Sequence, residues 1–324
     1  MSIPVFDAHC DTIFEVSKQG TSLRSNSLHI DLERGAGFSP YAQIFAIFTR
    51  PFSGGKYPAD YSMDWPEEVL IKGCSELLSK LLSEFFLNRD ILLHCETAKD
   101  ARIASKEHKI AAFIAIEGAE LIGCDITSLN WAYGQGVRFI NLCWNYDNAL
   151  CGAANGVAGG GLTKQGKEFV AEMQKLGIAV DLSHASEHTF WDVIEISKRP
   201  LLTGHSNSKA VCGSPRNISD EQFKALISLG GVAGLNLCPD FLNESGEAEI
   251  SDVIRHAEHF LALGGEKSVC LGGDLDGIGS LPKGIRGIQD YGLIYEAMLR
   301  RNYPESLVKD IFYNNLMRFT EEAL

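Results

Sequence analysis

Residues 6–11 read FDAHCD, an apolar strand that stops at a histidine and an aspartate. Four later segments follow the same plan, and each is an apolar run that ends at His, Asp or Glu: IAIEG at 114–118, VDLSH at 180–184, LTGHS at 202–206 and LGGDLDG at 271–277. In parallel barrels, functional side chains collect at the carboxyl ends of the strands. Five such strand ends in 324 residues predict one polynuclear metal centre at one end of a barrel.

The apolar runs also predict the fold. Eight of them are strand-like, and most are continuous rather than alternating, as expected of strands covered on both faces. They lie at 3–9, 41–49, 110–117, 137–143, 178–184, 201–205, 231–237 and 268–273. Amphipathic helical patterns separate them, at 64–87, 163–176, 186–198, 219–229, 250–263 and 304–322. This alternation, without a linker or a shift in composition, predicts one (β/α)8 TIM-type barrel domain over residues 1–324.

Composition narrows the possible partners. Lys and Arg number 29 and Asp and Glu 42, a net charge of −13, so the chain should repel phosphate backbones and bind no nucleic acid. We find no signal peptide and no apolar run that could span a bilayer, so we expect no membrane association. The 9 cysteines form no C-x-x-C pair and read as reduced thiols. These features predict a cytoplasmic protein.

Five residues are candidate metal ligands. His9 and Asp11 are two apart and would face the same side of a strand, while Glu117 ends an apolar run where a carboxylate is costly unless paired or metal-bound. His184 and His205 end consecutive strands. Taken singly, each has an ordinary alternative: a capping aspartate, a partner for a buried arginine, or a hydrogen-bonded core histidine. Together they suit two metal ions bridged by Glu117 and sharing a hydroxide.

Two further residues could act on a substrate, and two others have ordinary roles. Asp274 is a candidate metal ligand or general base, although Asp beside Gly is also turn chemistry. Arg216 could grip a carboxylate with two parallel hydrogen bonds or pair with a surface acid. Cys10 is predicted to pack in the core rather than bind metal. His256 is placed on a surface helix.

At this point the chain resembles the membrane (renal) dipeptidase family of the amidohydrolase-type barrels. The matching motifs run in the family's order: GLT at 161–163, DLSH at 181–184, HSN at 205–207, PRN at 215–217, GGDLDG at 272–277 and NLMRF at 315–319. The resemblance implies a zinc dipeptidase that is often dimeric and that tolerates a D-residue at the second position of a dipeptide substrate.

The resemblance also implies a role for each site residue. One Zn²⁺ would be held by His9, Asp11 and Glu117. The second Zn²⁺ would be held by Glu117, His184 and His205. Arg216 would hold the terminal carboxylate of the substrate, and Asp274 would be the acid and base.

The region after the fourth strand departs from the family. Animal enzymes carry a histidine there that stabilises the tetrahedral intermediate, whereas residues 141–147 read NLCWNYD, with Trp144 near that place. The intermediate would then rely on metal, on Asn145 as a substrate-binding group, or on another residue. Two other functions stay open: a different amidohydrolase reaction, such as deamination or ring opening, and a non-catalytic metal-binding barrel. Many amidohydrolases bridge their metals with a modified lysine, so Glu117 in the bridging role favours the dipeptidase.

Overall fold

The computed structural model describes residues 2–49 and 66–324. Over these residues the strands all run parallel in one sheet, and the sheet closes because the second strand also pairs with the fourth. The strands are β1 Val5–Cys10, β2 Tyr41–Ile47, β3 Leu92–His94, β4 Ile110–Glu117, β5 Val137–Asn141, β6 Ala179–Asp181, β7 Leu202–Thr203, β8 Val232–Leu235 and β9 Val269–Leu271. Eight of them form the barrel, and the predicted (β/α)8 fold is confirmed.

Among the strands of the described residues, β3 is the one that the sequence analysis missed. It spans three residues and pairs with the start of β4 through Leu92 and Ile110. Because β5 pairs with β4 only from Ile114 onward, β3 occupies the edge of β4 that β5 leaves free. So short an apolar run carries no periodicity, which is why it did not read as a strand.

The helices surround the barrel and connect its strands. They are α1 Thr12–Gln19, α2 Leu32–Gly35, α3 Glu67–Leu87, α4 Ala98–Lys106, α5 Ile126–Gly134, α6 Lys164–Leu176, α7 Glu187–Ile196, α8 Asp220–Ser228, α9 Pro239–Leu242, α10 Ile250–Ala262, α11 Tyr291–Arg300, α12 Glu305–Lys309 and α13 Asn315–Ala323. Short 3-10 turns lie at Ala119–Ile122 and Ile288–Asp290, and a π turn joins the last two helices over Asp310–Asn314.

The helix ends follow their sequence signals. Thr163 caps α6 by accepting a hydrogen bond from the backbone N–H of Gly166, and Gly177 ends the helix with a left-handed φ of 77°. Ser219 and Gln222 form a capping box at the start of α8, where the sequence places the first residue of a helical pattern. The predicted helix over 304–322 is instead two α-helices around the π turn.

The barrel interior is apolar beneath the strand ends. Phe6 of β1 stacks on Phe113 of β4 with ring centroids 5.6 Å apart, and Phe113 meets Phe139 of β5 at 5.8 Å. Leu316 and Phe319 of α13 belong to the same buried cluster. The candidate ligands lie beyond this apolar cluster, at or just past the carboxyl ends of the strands. Within the described ranges, we find no helix that is both long and apolar enough to cross a bilayer.

Candidate metal centre

The candidate ligands lie at or just beyond the carboxyl ends of four barrel strands. His9 is in β1 and Glu117 is the last residue of β4, while His184 and His205 follow the ends of β6 and β7 by three and two residues. Asp11 lies just beyond β1 as the N-cap of α1, not on the strand as the sequence suggested. The pairing of β1 with β2 shifts register between Asp7 and Cys10, so simple strand alternation does not hold there.

The structure gathers three imidazoles around one oxygen of Glu117, and Asp11 adjoins this group through His9. Oε1 of Glu117 lies 2.8 Å from Nε2 of His184, 3.5 Å from Nε2 of His205 and 3.6 Å from Nε2 of His9. Nε2 of His9 is also 3.7 Å from Oδ1 of Asp11. All five residues are buried. A buried carboxylate ringed by three imidazoles is a donor set that suits a divalent cation.

The hydrogen bonding around His184 tests whether a cation fits. Nδ1 of His184 lies 2.8 Å from Oδ1 of Asn145, an acceptor, which assigns the ring proton to Nδ1. Nε2 of His184 then turns a lone pair toward Oε1 of Glu117 and toward Nε2 of His205, which is 2.9 Å away. Electron pairs held this close repel one another unless a proton or a metal ion lies between them.

Two other buried atoms support the same conclusion. Nε2 of His9 and Oδ1 of Asp11 have no hydrogen-bond partner among the described residues. Buried polar atoms without partners are rare and costly, and in a cluster of this composition a metal ion would satisfy them.

The electrostatics of the cluster reflect strong mutual dependence. Burial opposes ionisation of Glu117, but the charge of His9 and close contact with the three imidazoles hold the pKa of Glu117 well below its ordinary value. Burial also opposes charge on His9, yet Glu117 and Asp11 raise the pKa of His9 well above the usual range. Burial and the charge of Arg216 lower the pKa of His184 to about 4, which keeps that imidazole available as a neutral ligand.

Asp274 lies beside the cluster. One of its carboxylate oxygens falls within 4.8 Å of ligand atoms of His9 and Asp11, and its Oδ2 accepts a hydrogen bond of 3.1 Å from Asn236. Burial, opposed by His9 and reinforced by the charges of Asp11 and Glu117, raises the pKa of Asp274 to about 8. A carboxyl group tuned near neutral pH is suited to both accept and release a proton.

Arg216 is buried, and no salt bridge is formed by its guanidinium with any described residue. Burial lowers its pKa, although Asp274 and Glu117 partly offset this. Arg216 and His184 line one cavity of about 310 Å³, and Ala153, Gly156 and Gly159 of the loop between β5 and α6 form another part of its wall. A buried cation at a cavity wall is prepared for an anionic ligand.

Asn145 and Trp144 lie on the loop that follows β5. The side-chain oxygen of Asn145 contacts His184, so its amide nitrogen takes no part in that contact. The Trp144 ring lies 4.8 Å from Phe48, 5.4 Å from Tyr146 and 6.4 Å from the ring of His184. An aromatic wall therefore stands where the sequence lacks a histidine.

Some polar residues escaped the sequence analysis. Asp7, Asp181 and Glu120 are buried carboxylates near the site that were not singled out, although the first two lie within the quoted strand ends. His256 was expected on a surface, but the structure buries it, with Nδ1 accepting from the backbone of Ser208 at 3.1 Å. Its Nε2 faces the carbonyl of Leu242 at 3.1 Å. The prediction for His256 was wrong because helical spacing alone does not show which face is covered.

Cys10 is fully buried in the apolar core, where packing was predicted. Asp276 accepts hydrogen bonds from Oγ1 of Thr12 and the backbone of His29, both at 2.6 Å. Its carboxylate therefore fixes the loop before α2 to the loop after β9 and does not face the cluster. Of the two aspartates in the 271–277 motif, only Asp274 is free to serve the site.

An eight-stranded α/β barrel with clustered imidazoles and carboxylates at its carboxyl ends has the architecture of a metal-dependent hydrolase barrel. Comparison of the sequence with known families narrows this class. The sequence model of the membrane dipeptidase family (peptidase family M19) matches residues 1–324, and the chain belongs to that family. The predicted family resemblance is thereby confirmed.

Individual relatives agree with this assignment. A Schizosaccharomyces pombe protein named uncharacterized dipeptidase C965.12 is 33% identical over 231 residues, which cover 69% of this chain and 56% of that protein. The match thus spans little more than half the length of that relative. A crystallised metallo peptidase from Rhodobacter sphaeroides, liganded with a phosphinate mimic of L-Ala-D-Ala, is 28% identical with a TM-score of 0.89 over 100% of both chains. The metallo peptidase dipeptidase AC is 28% identical with a TM-score of 0.88, covering 100% of this chain and 99% of its own.

Proposed function

We propose that this protein is a two-zinc dipeptidase that hydrolyses free dipeptides. The observation that carries the proposal is the convergence of three imidazole Nε2 atoms on Oε1 of Glu117, at 2.8, 3.5 and 3.6 Å. Family membership supports it, as does the similarity to an enzyme crystallised with a dipeptide mimic. A glutamate at the centre of the cluster also favours this reaction over amidohydrolase reactions that use a modified lysine.

The residues divide into two ligand sets that share one carboxylate. His9, Asp11 and Glu117 would hold one ion, and Glu117, His184 and His205 the other. Zinc bound there would polarise the scissile carbonyl and lower the pKa of water. Glu117 can serve both ions because its carboxylate has two oxygens, and its depressed pKa keeps both oxygens deprotonated.

Asp274 moves the proton. Its carboxylate would take a proton from the attacking water and then deliver it to the leaving amine. The position of Asp274 beside the candidate ligands His9 and Asp11 supports this role. Asn236 holds the carboxyl through Oδ2, which leaves Oδ1 for the proton.

Arg216 would select the substrate by gripping its terminal carboxylate. Arg216 and His184 lie on the walls of one cavity, which supports a binding mode with the bond one residue from the carboxylate near the metal ligands. The cavity, about 310 Å³, would take the side chain of the C-terminal residue. We propose that a D-residue is accepted there, as in the L-Ala-D-Ala mimic bound by the Rhodobacter sphaeroides relative. The amide nitrogen of Asn145 would contact the peptide carbonyl.

Three further predictions carry over unchanged. The homodimer implied by the family resemblance stays a prediction, and so do the cytoplasmic location and the single domain over residues 1–324. The expectation that the chain binds no nucleic acid also stays a prediction.

A release assay on a dipeptide panel tests the proposal when it is joined to elemental analysis. The panel should contain L-L and L-D dipeptides, their amides, tetrapeptides and cyclic amides, each assayed after chelation and after reloading with zinc. About two zinc ions per chain and zinc-dependent cleavage of free dipeptides are expected. Cleavage of cyclic amides alone would support ring opening. Zinc binding without any turnover would support the non-catalytic barrel, and no zinc binding would contradict the ligand assignment.

A further inference from the structure

One buried carboxylate near the metal centre has no place in the proposed chemistry. Glu120 lies in the 3-10 turn that follows Glu117 and is almost fully buried. Neither Lys nor Arg pairs with it in the described residues, and it does not face the imidazole cluster. Burying an acid costs free energy, so its contacts should show what it is for.

Both oxygens of Glu120 bind the loop 142–151. Oε1 accepts a hydrogen bond of 3.1 Å from the backbone N–H of Trp144, and Oε2 accepts one of 2.8 Å from Nδ2 of Asn148. Asn148 in turn donates to the carbonyl of Leu142 at 2.8 Å. One carboxylate thus holds the loop at two points four residues apart.

The backbone beneath Glu120 is shaped to accept this carboxylate. Gly118 has a φ of 102°, and a Cβ added there would lie 2.4 Å from Oε1 of Glu120. The chain between the predicted bridging ligand and the clamp therefore passes directly under the carboxylate. Any larger residue at this position would displace it.

The loop residue between the two clamped points contacts a candidate ligand. Asn145 follows Trp144 directly, and its Oδ1 lies 2.8 Å from Nδ1 of His184. That contact places the ring proton on Nδ1 and directs Nε2 toward Glu117. Partners of this kind orient metal ligands, and losing one typically costs roughly 10–100-fold in metal affinity or activity.

We infer that Glu120 is a positioning residue for the metal centre: it clamps the loop 142–151 so that Asn145 fixes the tautomer and orientation of His184. The inference rests on the proposed function, since it assigns His184 as a zinc ligand. Glu120 lies outside both ligand sets and contacts neither Asp274, the proposed acid and base, nor Arg216, the proposed substrate-binding residue. Order in the loop is thereby coupled to order in the metal site.

Glu120→Gln is the primary test, because it keeps the size of the side chain but turns one acceptor into a donor. An NH₂ group must then face either Nδ2 of Asn148 or the N–H of Trp144, so one contact is lost. The dissociation constant for zinc, measured by competition with a chromogenic chelator, is expected to rise by roughly 10–100-fold. Asn145→Ala should have an effect of similar size.

Glu84→Gln is a matched control. Glu84 is also a buried acid whose Oε2 accepts from a backbone N–H, that of Leu23 at 3.0 Å, and from an asparagine amide, that of Asn88 at 3.4 Å; unlike Glu120, it also pairs with a lysine, Lys80, at 2.9 Å. It lies on α3, outside the metal cluster. Glu84→Gln should lower thermal stability but leave zinc affinity within about twofold, a change worth less than 0.5 kcal/mol by the usual conversion.

A double-variant cycle separates the relay from two independent effects. If Glu120 acts through Asn145, Glu120→Gln combined with Asn145→Ala should weaken zinc binding no more than the worse single variant. Losses that multiply, or a Glu120→Gln protein that binds zinc like wild type, would overturn the inference. If Glu120→Gln cannot be purified, Glu120→Asp keeps the charge, shortens the reach and should show the same cycle.

The tautomer of His184 gives a readout that needs no zinc. In ¹⁵N spectra of the metal-free wild type, His184 should be protonated at Nδ1, and Glu120→Gln should shift population toward the Nε2 tautomer. An unchanged tautomer would contradict the relay. If the wild type bound no zinc but Glu120→Gln still shifted the His184 tautomer, the metal centre would be contradicted and the clamp would be sustained. The two failures are therefore distinguishable.

Discussion

Asp7 and Glu117 are both buried carboxylates on barrel strands, but their surroundings differ. Asp7 accepts hydrogen bonds from the backbone N–H groups of His9 and Gly273 at 2.9 Å, from the Tyr291 hydroxyl at 2.5 Å and from Gln43 at 3.2 Å. The partners of Glu117 in the described part of the chain are imidazoles. The carboxylate of Asp7 is satisfied by neutral hydrogen-bond donors, whereas the carboxylate of Glu117 requires a neighbouring positive charge.

The same contrast recurs between Asp181 and Asp11. Asp181 accepts from the backbone of Ser183 at 2.8 Å and of Gly204 at 3.1 Å, which joins the ends of β6 and β7 beneath their histidines. Oδ1 of Asp11 is buried without a partner among the described residues. Burial alone therefore does not separate structural from functional acids. What separates them is whether the fold supplies enough neutral donors.

Replacing Glu117 and Asp7 by the corresponding amides should give opposite outcomes for zinc content and stability. The loss of zinc in Glu117→Gln is the largest effect expected. Glu117→Gln removes the charge that both proposed ions share, so zinc content should fall toward zero and dipeptide turnover by more than roughly 10⁴-fold. The metal-free protein should remain folded, because the variant relieves a buried charge. Elemental analysis and thermal unfolding after chelation measure the two quantities.

Asp7→Asn is the structural counterpart. An amide NH₂ would face donors, at a cost of about 1–3 kcal/mol in the free energy of unfolding, while zinc content should stay near that of wild type. If Asp7→Asn lost its metal as fully as Glu117→Gln, or if Glu117→Gln retained two zinc ions, the division between satisfied and unsatisfied acids would be wrong.

Asp274 lies between these two kinds of acid, because Asn236 donates a hydrogen bond to its Oδ2 and its Oδ1 is left for a proton. Asp274→Asn should keep the metals but lose roughly 10²–10⁴-fold in kcat, because an amide has nearly the same shape but cannot shuttle a proton. The check is kcat on a good dipeptide together with zinc content. Near-native turnover would make Asp274 a turn residue after all.

Arg216 is the cationic counterpart of Glu117, because its buried guanidinium forms no salt bridge with a described residue. Replacing it by methionine keeps the apolar stem and removes the guanidinium. The variant should lose roughly 10–100-fold in kcat/KM on free dipeptides, the range expected for charge-assisted hydrogen bonds worth about 1.5–3 kcal/mol. Dipeptide amides, which lack the charge, should be far less affected. Equal losses on acids and amides, or efficient cleavage of tetrapeptides by the wild type, would show that the carboxylate grip is wrong.

The sequence predicted the barrel and the convergence at its end because both depend on local pattern. Apolar runs mark the strands, and the rule that parallel strands share a carboxyl end brings their last residues together. It did not predict the contacts of Glu120, Asp7 or His256, since those depend on which side chains meet across distant loops. The strand Leu92–His94 was also missed, because three residues carry too little pattern to be distinguished from a loop.

His256 provides the smallest expected effect and extends the comparison to a base. Burial lowers its pKa to about 4, and the neutral ring is satisfied at both nitrogens, by Ser208 and by Leu242. A proton on Nδ1 would destroy the contact with the Ser208 N–H, in the loop that leads from His205 to Arg216. Because the folded pKa is below the unfolded value of 6.5, this stability is fully present above pH 6.5 and is lost as the pH falls toward 4. The loss should reach up to about 3 kcal/mol.

Unfolding by urea at several pH values between 7 and 4, after chelation, measures this slope. His256→Gln should flatten it, because glutamine offers a donor and an acceptor but does not titrate in this range. The exposed His188 supplies a control at the surface, and His188→Gln should leave the slope as in wild type. Other groups near the metal cluster titrate in the same window, but they are common to all three proteins, so the difference isolates His256. If the unfolding free energies of wild type and His256→Gln depend on pH with the same slope, the contacts with Ser208 and Leu242 do not hold the His256 ring neutral. The contrast between satisfied and unsatisfied buried groups would then not extend from the acids to this base.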